Sequence, residues 1–371
     1  MTFRERLLAV LNGQMTDRVP VSTYELVGYN SKSFENNEAS YKPLMDFIRE
    51  KTDCVCMWEP VSNAVFLESA YAADSSVENI RQDSATVTTK TVQTPKGPLK
   101  QVTKVIDNVH TVWEVEHWCK SIEDVDRALS VPYESLSYDF SDFARIEEEV
   151  SDNGIIMSSL SDPLWMAAAL MNFGDYTVWA MTETEHFART VDAMHERCME
   201  NLKRMLEMQV VDLYRICGPE YATEPYLPPA LFKRFVVPYV KEMTDLIHSK
   251  GAKVRLHCHG RISKVLDMIV ETGCDAIDPC EAPPDGDIEL AEVKKRIGYN
   301  ICIFGNIQLK LLENGTIEEV RQCVVKCMDS AKVGGRYVIM PTAAPINVPL
   351  AKQTESNYMT FIDVALQMGK Y

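Results

Sequence analysis

The feature that most constrains the fold is an alternation of strand-like and helix-like segments from about residue 150 to the end of the chain. Short apolar runs typical of buried parallel strands are followed by stretches with helical periodicity. With two earlier runs, the predicted strands lie near residues 21, 55, 156, 212, 254, 276, 302 and 337. Eight strands that mostly alternate with helices predict an α/β fold, a closed parallel (β/α)8 TIM barrel.

Two segments depart from this alternation. Residues 3–12 have the apolar spacing of a short helix that precedes the first strand. Residues 84–118 contain alternating Thr and Val around a turn at Thr94–Pro98, which predicts a β-hairpin excursion rather than a βα unit. We therefore expect one barrel domain over residues 1–371, with an N-terminal helical segment and a hairpin insertion.

Charge and composition exclude several classes of partner. A net charge of -16 disfavours binding to nucleic acid or to an anionic membrane, because both would be repelled. No apolar run approaches the roughly 18 residues of a membrane span, and the N-terminus lacks the pattern of a signal peptide. The 11 cysteines, an odd number, are typical of reduced thiols. We expect a cytoplasmic protein that acts on a small molecule or on cargo carried by another protein.

The most informative motif is Lys253–Gly260, which carries two histidines at the end of a strand-like run. Side chains alternate along a strand, so His257 and His259 share one face while Cys258 points to the other. The next strand-like run ends on Glu281. Two histidines and a carboxylate can bind zinc or non-haem iron, although histidines also end strands as ordinary polar groups. The prediction is a metal site formed by His257, His259 and Glu281.

Other predicted strands also end in polar or aromatic residues. Active sites of such barrels lie at the carboxyl ends of the strands, so these residues predict an acidic, aromatic-lined mouth. Each could instead cap a helix or close a loop. We predict Glu59 and Glu220 as catalytic residues, and a substrate-binding set consisting of Tyr24, Trp58, Asp162 and Asn306.

Four segments of the sequence resemble the uroporphyrinogen decarboxylase family, which also contains corrinoid-linked methyltransferases. They are Arg4–Gly13 with Asp17–Pro20, His257–Gly260, Ala282–Asp287 and Phe304–Ile307. The resemblance extends over nearly the whole chain and implies the same barrel.

The sequence departs from the decarboxylases of this family. Their basic Arg-Gln-Ala-Gly-Arg segment is replaced by Ser22–Gly28, and their catalytic aspartate corresponds to Glu59. Their histidine after the last strand would fall within Pro341–Pro345, which has none. The resemblance therefore does not imply ordinary decarboxylation of a porphyrinogen.

The zinc methyltransferases of the family use His-x-Cys and a later Cys as ligands. Here those positions are His257, His259 and the neighbourhood of Ala343, so one ligand of three is unchanged. Cobalamin-independent methionine synthases add a glutamate about one strand later, which makes Glu281 a replacement ligand. Two neutral imidazoles and one carboxylate would leave a harder Lewis acid than thiolates do, suited to an oxygen atom.

The resemblance implies a zinc-dependent methyltransferase that moves a methyl group between a small methylated substrate, a methoxy compound, and a corrinoid. The chain lacks the Asp-x-His-x-x-Gly segment that binds cobalamin, so the corrinoid would come from a separate protein or arrive free. One alternative is a metal-independent decarboxylase or lyase with Glu59 and Tyr24 as acid and base. Another is a non-catalytic ligand-binding member.

Overall fold

The structure, a computed structural model, describes residues 1–71 and 74–371. Its strands are β1 (Cys54–Met57), β2 (Val61–Ser62), β3 (Ser75–Gln82), β4 (Ala85–Thr94), β5 (Gly97–Ile106), β6 (Trp113–Glu116), β7 (Tyr138–Asp139), β8 (Gly154–Ser161), β9 (Leu213–Cys217), β10 (Lys253–His257), β11 (Ala276–Asp278), β12 (Cys302–Phe304) and β13 (Tyr337–Val338). Its α-helices are α1 (Phe3–Leu11), α2 (Phe34–Asn37), α3 (Lys42–Lys51), α4 (Ile122–Leu129), α5 (Phe143–Val150), α6 (Pro163–Ala168), α7 (Phe173–Thr182), α8 (Thr184–Met208), α9 (Pro229–Phe235), α10 (Val237–Ser249), α11 (Leu266–Glu271), α12 (Leu290–Ile297), α13 (Leu309–Asn314), α14 (Ile317–Ala331) and α15 (Lys352–Met368).

A curled parallel sheet of seven strands carries the fold, in the order β1-β8-β9-β10-β11-β12-β13. The eighth predicted strand, near residue 21, is only one bridge long: Val21 pairs with Ile339, and its carbonyl accepts a hydrogen bond from the Asp53 amide at 2.8 Å. Pro20 has no amide hydrogen, and Tyr24 turns the chain away at φ 57°. The α/β fold is confirmed, but a closed eight-stranded barrel is not.

The inside of the curl is apolar at its amino end. Strand side chains that point inward form a cluster with Leu7, Val10 and Leu11 of α1, which closes this end. Helix α1, predicted for residues 3–12, begins at a capping box between Thr2 and Glu5. Further along the same strands the inward positions become polar, so the carboxyl ends of the strands hold the chemistry.

A separate antiparallel sheet contains β3, β4, β5 and β6 in that order. The predicted hairpin is present as β4 and β5, which pair from Ala85 with Ile106 to Thr94 with Gly97. Strands β3 and β6, which the sequence interpretation missed as separate strands, extend it on both sides. Within the described residues, no helix has both the length and the apolar character needed to cross a membrane.

Candidate functional site

Two histidine–carboxylate pairs lie together at the carboxyl ends of β10 and β11. Nδ1 of His257 is 3.0 Å from Oδ2 of Asp278, and Nδ1 of His259 is 3.1 Å from Oε2 of Glu281. The two imidazole rings are 4.6 Å apart between centroids and nearly perpendicular, at 88°. Since each Nδ1 faces a carboxylate, each histidine keeps its Nε2 for another partner.

The two histidines converge as the strand alternation predicts, and Cys258 is buried on the other face. Glu281, however, accepts hydrogen bonds through Oε2 from His259 and from the Gly260 amide at 3.0 Å. Across residues 1–71 and 74–371, no three His, Cys, Asp or Glu side chains are grouped so that they could hold a metal ion. Catalytic zinc sites use about three protein ligands, so the predicted trio as arranged does not fit zinc, and the zinc centre is not confirmed.

Asp278 is the carboxylate behind the deeper histidine. It is fully buried, and its Oδ1 lies 2.8 Å from Nε of Arg255, which is also buried. Burial raises the pKa of Asp278, but the charges of Arg255 and His257 outweigh that effect and hold the pKa below its ordinary value. The ionised carboxylate therefore fixes the orientation of His257.

The second pair is closer to solvent. Burial lowers the pKa of His259, but the hydrogen bond and charge of Glu281 raise it, and the net pKa is above its ordinary value. For Glu281 burial raises the pKa, whereas the hydrogen bond and charge of His259 lower it, and the net pKa is below its ordinary value. The pair therefore favours an imidazolium beside a carboxylate.

Arg215, on β9, is a residue of the mouth that the sequence interpretation missed. Its Nη1 donates to the Tyr24 hydroxyl at 3.2 Å and to Oε1 of Glu25 at 3.0 Å, and its Nε donates to Oγ of Ser159 at 3.3 Å. Ser159 Oγ is in turn 3.5 Å from Sγ of Cys217. The available signal was a charged residue inside an otherwise apolar strand, which requires a partner when buried.

Glu59, a predicted catalytic residue, lines a cavity of about 260 Å³ between the ends of β1 and β8. Glu68, Tyr138 and Ser159 also line this mouth cavity. The Glu59 side chain reaches solvent through the cavity, yet the surrounding protein raises its pKa by desolvation, against the lowering charge of Arg215. Glu59 is therefore an accessible carboxyl group that holds a proton more readily than usual.

Trp58, predicted to bind substrate, does not face the mouth. It is buried, its Nε1 donates to Oδ1 of Asp142 at 3.0 Å, and its ring packs on Phe140 and Phe143. The reason is the strand alternation: Met57 contacts the inner cluster, so the next side chain points outward. The assignment of Trp58 to the mouth was wrong.

Three other predicted residues have structural contacts at the strand ends. Asp162 is fully buried and caps α6 by accepting from the Trp165 amide at 2.7 Å. Glu220 accepts from the Gly218 amide at 3.0 Å. Asn306 is buried and donates to the Cys280 carbonyl. These contacts leave the predicted roles of Asp162, Glu220 and Asn306 as predictions.

Comparison with known proteins gives a consistent set of relatives. The family model for uroporphyrinogen decarboxylase (URO-D) matches residues 105–354. The chain is 22% identical to a chloroplastic uroporphyrinogen decarboxylase of Nicotiana tabacum, over 97% of this chain and 85% of that protein. It is 22% identical to uroporphyrinogen decarboxylase 2 of Oryza sativa subsp. japonica over 63% of this chain, and 23% identical to the methylcobamide:CoM methyltransferase MtaA of Methanosarcina barkeri over 47%. The alignments span 58% and 50% of the length of those two relatives.

One solved structure is similar over almost the whole chain. A methyltransferase from Methanosarcina mazei has a TM-score of 0.60 and 16% sequence identity, with 99% of each chain covered. At 16% sequence identity, this similarity shows that the two proteins share a fold.

Proposed function

Because this chain belongs to the uroporphyrinogen decarboxylase family, we propose that it is a methyltransferase that moves a methyl group between a small methylated compound and a corrinoid. The observation that carries the proposal is the His259–Glu281 pair beside His257, which places an imidazole Nε2 at the end of the parallel sheet. Similarity to a methylcobamide:CoM methyltransferase supports the same reaction class.

The charge of the mouth supports a small substrate over a porphyrinogen. Glu59 and Glu68 line the cavity beside β1 and β8, whereas the cation Arg215 is already paired with Glu25. A porphyrinogen with several carboxylates would be repelled by this surface. We propose a substrate without such a set of negative charges, and an oxygen atom as the carrier of the methyl group.

When bound, the corrinoid would supply the cobalt that accepts the methyl group. The substrate oxygen that loses its methyl group keeps the electron pair of the broken C–O bond and needs a proton. In the proposed mechanism Nε2 of His259 donates this proton, while Glu281 retains its hydrogen bond at Nδ1. His257, held by Asp278, would contact the substrate beside it.

The corrinoid would be brought by a separate protein or arrive free, because the chain lacks an Asp-x-His-x-x-Gly segment. Such a protein would dock on the face at the carboxyl ends of the strands, where the histidines lie. The source of the corrinoid can be tested with the purified chain. Either the chain reacts with free cob(I)alamin, or it reacts only after a corrinoid protein from a native extract is added. No reaction under both conditions would contradict the proposal.

The test of the reaction is an absorbance assay for methylcobalamin with a panel of methoxy compounds and cob(I)alamin. We expect product with wild-type protein and its loss in His259→Gln. The matched control is His195→Gln, which removes another histidine–carboxylate pair, 2.7 Å from Glu242, on the surface of α8. If methoxy compounds give no product but methylcobalamin and a thiol give a thioether, the proposed substrate and direction are wrong.

A metal-independent decarboxylase or lyase is the second candidate. It is favoured by the position of Arg215, which could exchange Glu25 for a single substrate carboxylate beside the Tyr24 hydroxyl and near Glu59. Release of carbon dioxide from a small carboxylic acid, lost in Glu59→Gln and independent of corrinoid, would support this function over methyl transfer.

A further inference from the structure

A second cavity, of about 200 Å³, lies between the antiparallel sheet and the start of α6. Trp118 and Trp165 both line it, together with the carboxylates of Glu68 and Glu114. We call it the tryptophan cavity. None of its described lining residues is a lysine, an arginine or a histidine.

Its two carboxylates differ in their partners. Glu114 accepts a hydrogen bond from Gln101, and its Oε2 lies 3.3 Å from Nδ1 of His117. Glu68 forms no ion pair with any described residue; its side chain reaches solvent, yet the surrounding protein raises its pKa by desolvation. Glu68 is therefore the carboxylate in this cavity for which the protein provides no countercharge.

The backbone beside Glu68 is held firmly in place. Leu67 and Glu68 both have positive φ, 50° and 52°, a conformation unfavourable for residues other than glycine. Arg197 of α8 donates to the Leu67 carbonyl at 3.1 Å, and Asn201 donates to the Glu68 carbonyl at 2.8 Å. These contacts keep the Glu68 side chain in the wall shared with the mouth cavity, which it also lines.

We propose that the tryptophan cavity binds a methylated ammonium group, with Trp118 and Trp165 as the aromatic walls and Glu68 as the countercharge. Aromatic surfaces attract cations, and quaternary ammonium groups are the ligands best suited to them. A primary ammonium group is compact and strongly hydrated, so it gains less from aromatic walls than a methylated ammonium group does. A neutral ligand would offer the Glu68 carboxylate no countercharge.

The inference deepens the proposed function and rests on it for one point alone, that the bound group belongs to the methylated substrate. Glu68 and Met166 line both cavities, so a ligand with its ammonium group here could extend towards Glu59. Binding itself does not depend on methyl transfer. Failure of binding and failure of the reaction are therefore separate results.

The test is a calorimetric titration of the full chain with choline and with 3,3-dimethylbutan-1-ol, which has the same shape without the charge. We expect saturable binding of choline and at least about tenfold weaker binding of the neutral alcohol. Trp165→Ala and Glu68→Gln should each weaken choline binding about five- to tenfold, whereas Trp165→Phe should retain most of it.

The controls match the two variants in exposure and charge. Trp113→Ala removes a tryptophan that is 39% exposed, against 37% for Trp165, and that does not line the cavity. Glu78→Gln removes an exposed carboxylate of β3. Both should bind choline like the wild type. Equal affinity for choline and the alcohol, an equal loss in the controls, or no saturation below about 10 mM choline would overturn the proposal.

Discussion

The two ends of the parallel sheet differ in how their carboxylates are paired with cations. At the amino end, the buried carboxylate of Asp53 accepts from Nη1 of Arg6 at 2.6 Å, from Nη1 of Arg18 at 2.7 Å and from the Val21 amide at 2.8 Å. At the carboxyl end, Glu59 and Glu68 have raised pKa values and line cavities. Paired charges join α1 to the first strand. At the carboxyl end, ion pairs such as Arg255–Asp278 lie beside two carboxylates that form no ion pair with a described residue and remain available to a ligand.

Among the described residues, seven buried side-chain atoms have no hydrogen-bond partner; four belong to residues at or after strand ends, one lies within β10 and two lie on α8 and α10. Within the described part of the chain, Oδ2 of Asp162 and Oδ1 of Asn306 are buried without a hydrogen-bond partner, and both residues follow strands at the carboxyl end. Such atoms cost free energy, which proteins tolerate mainly where function requires it. The comparison therefore predicts that changes at the carboxyl end affect activity first, and changes at the amino end affect stability first.

The largest expected effect is a loss of activity caused by a change at the carboxyl end of the sheet. His259→Gln should lower the rate of methyl transfer about 10²- to 10⁴-fold, because it removes the proposed proton donor. Activity of the wild type should fall as the pH rises through the raised pKa of His259. Rates measured across pH, beside urea unfolding of the same variant, check both statements. If the variant loses stability in proportion to its activity, the statement that the carboxyl end affects activity first is contradicted.

The next largest effect is at the amino end. Asp53→Asn should lower the free energy of unfolding by about 3–5 kcal/mol, because it leaves Arg6 and Arg18 without their buried countercharge. The control is Asp46→Asn, whose pairs with Lys42 and Arg49 are exposed to solvent and should contribute far less to stability. Equal shifts of the urea midpoint in the two variants would contradict the assignment of stability to this end.

A smaller effect is expected from Glu281→Gln. The pKa of Glu281 is lowered, so its stabilisation is present above its ordinary value and is lost as the pH falls through the lowered pKa. The pKa of His259 is raised, so its stabilisation is present below its ordinary value and is lost as the pH rises through the raised pKa. The difference in Tm between wild type and variant should peak between about pH 4.3 and 6.5, at about 3 °C or less. A difference independent of pH would show that the pair is not ionised.

The smallest expected effect concerns zinc. The two imidazoles converge without a third ligand in the described residues, so added zinc should leave the Tm of the wild type and of His257→Ala almost unchanged. Elemental analysis of both proteins is the accompanying measurement. Stoichiometric zinc in the wild type that is lost in His257→Ala would restore the three-ligand centre predicted from the sequence.

The local pattern of apolar runs and helical segments predicted most of the parallel sheet. Seven of the eight predicted strand positions became strands of the parallel sheet, because buried apolar runs between helices have few other ways to satisfy their backbone groups. The eighth failed where Pro20 and the turn at Tyr24 limit pairing to one bridge. The convergence of His257 and His259 also followed from the sequence, because the two-residue period of a strand is a local property.

Tertiary structure decided which partners these residues have. Glu281 lies where the sequence indicated, but only the packing of one strand end on the next made it a hydrogen-bond partner of His259. Arg215 became part of the mouth through contacts with Tyr24 and Glu25, about 190 residues away in the chain. Sequence period fixes the face on which a side chain lies, but distances between atoms on different strands depend on the curl of the whole sheet.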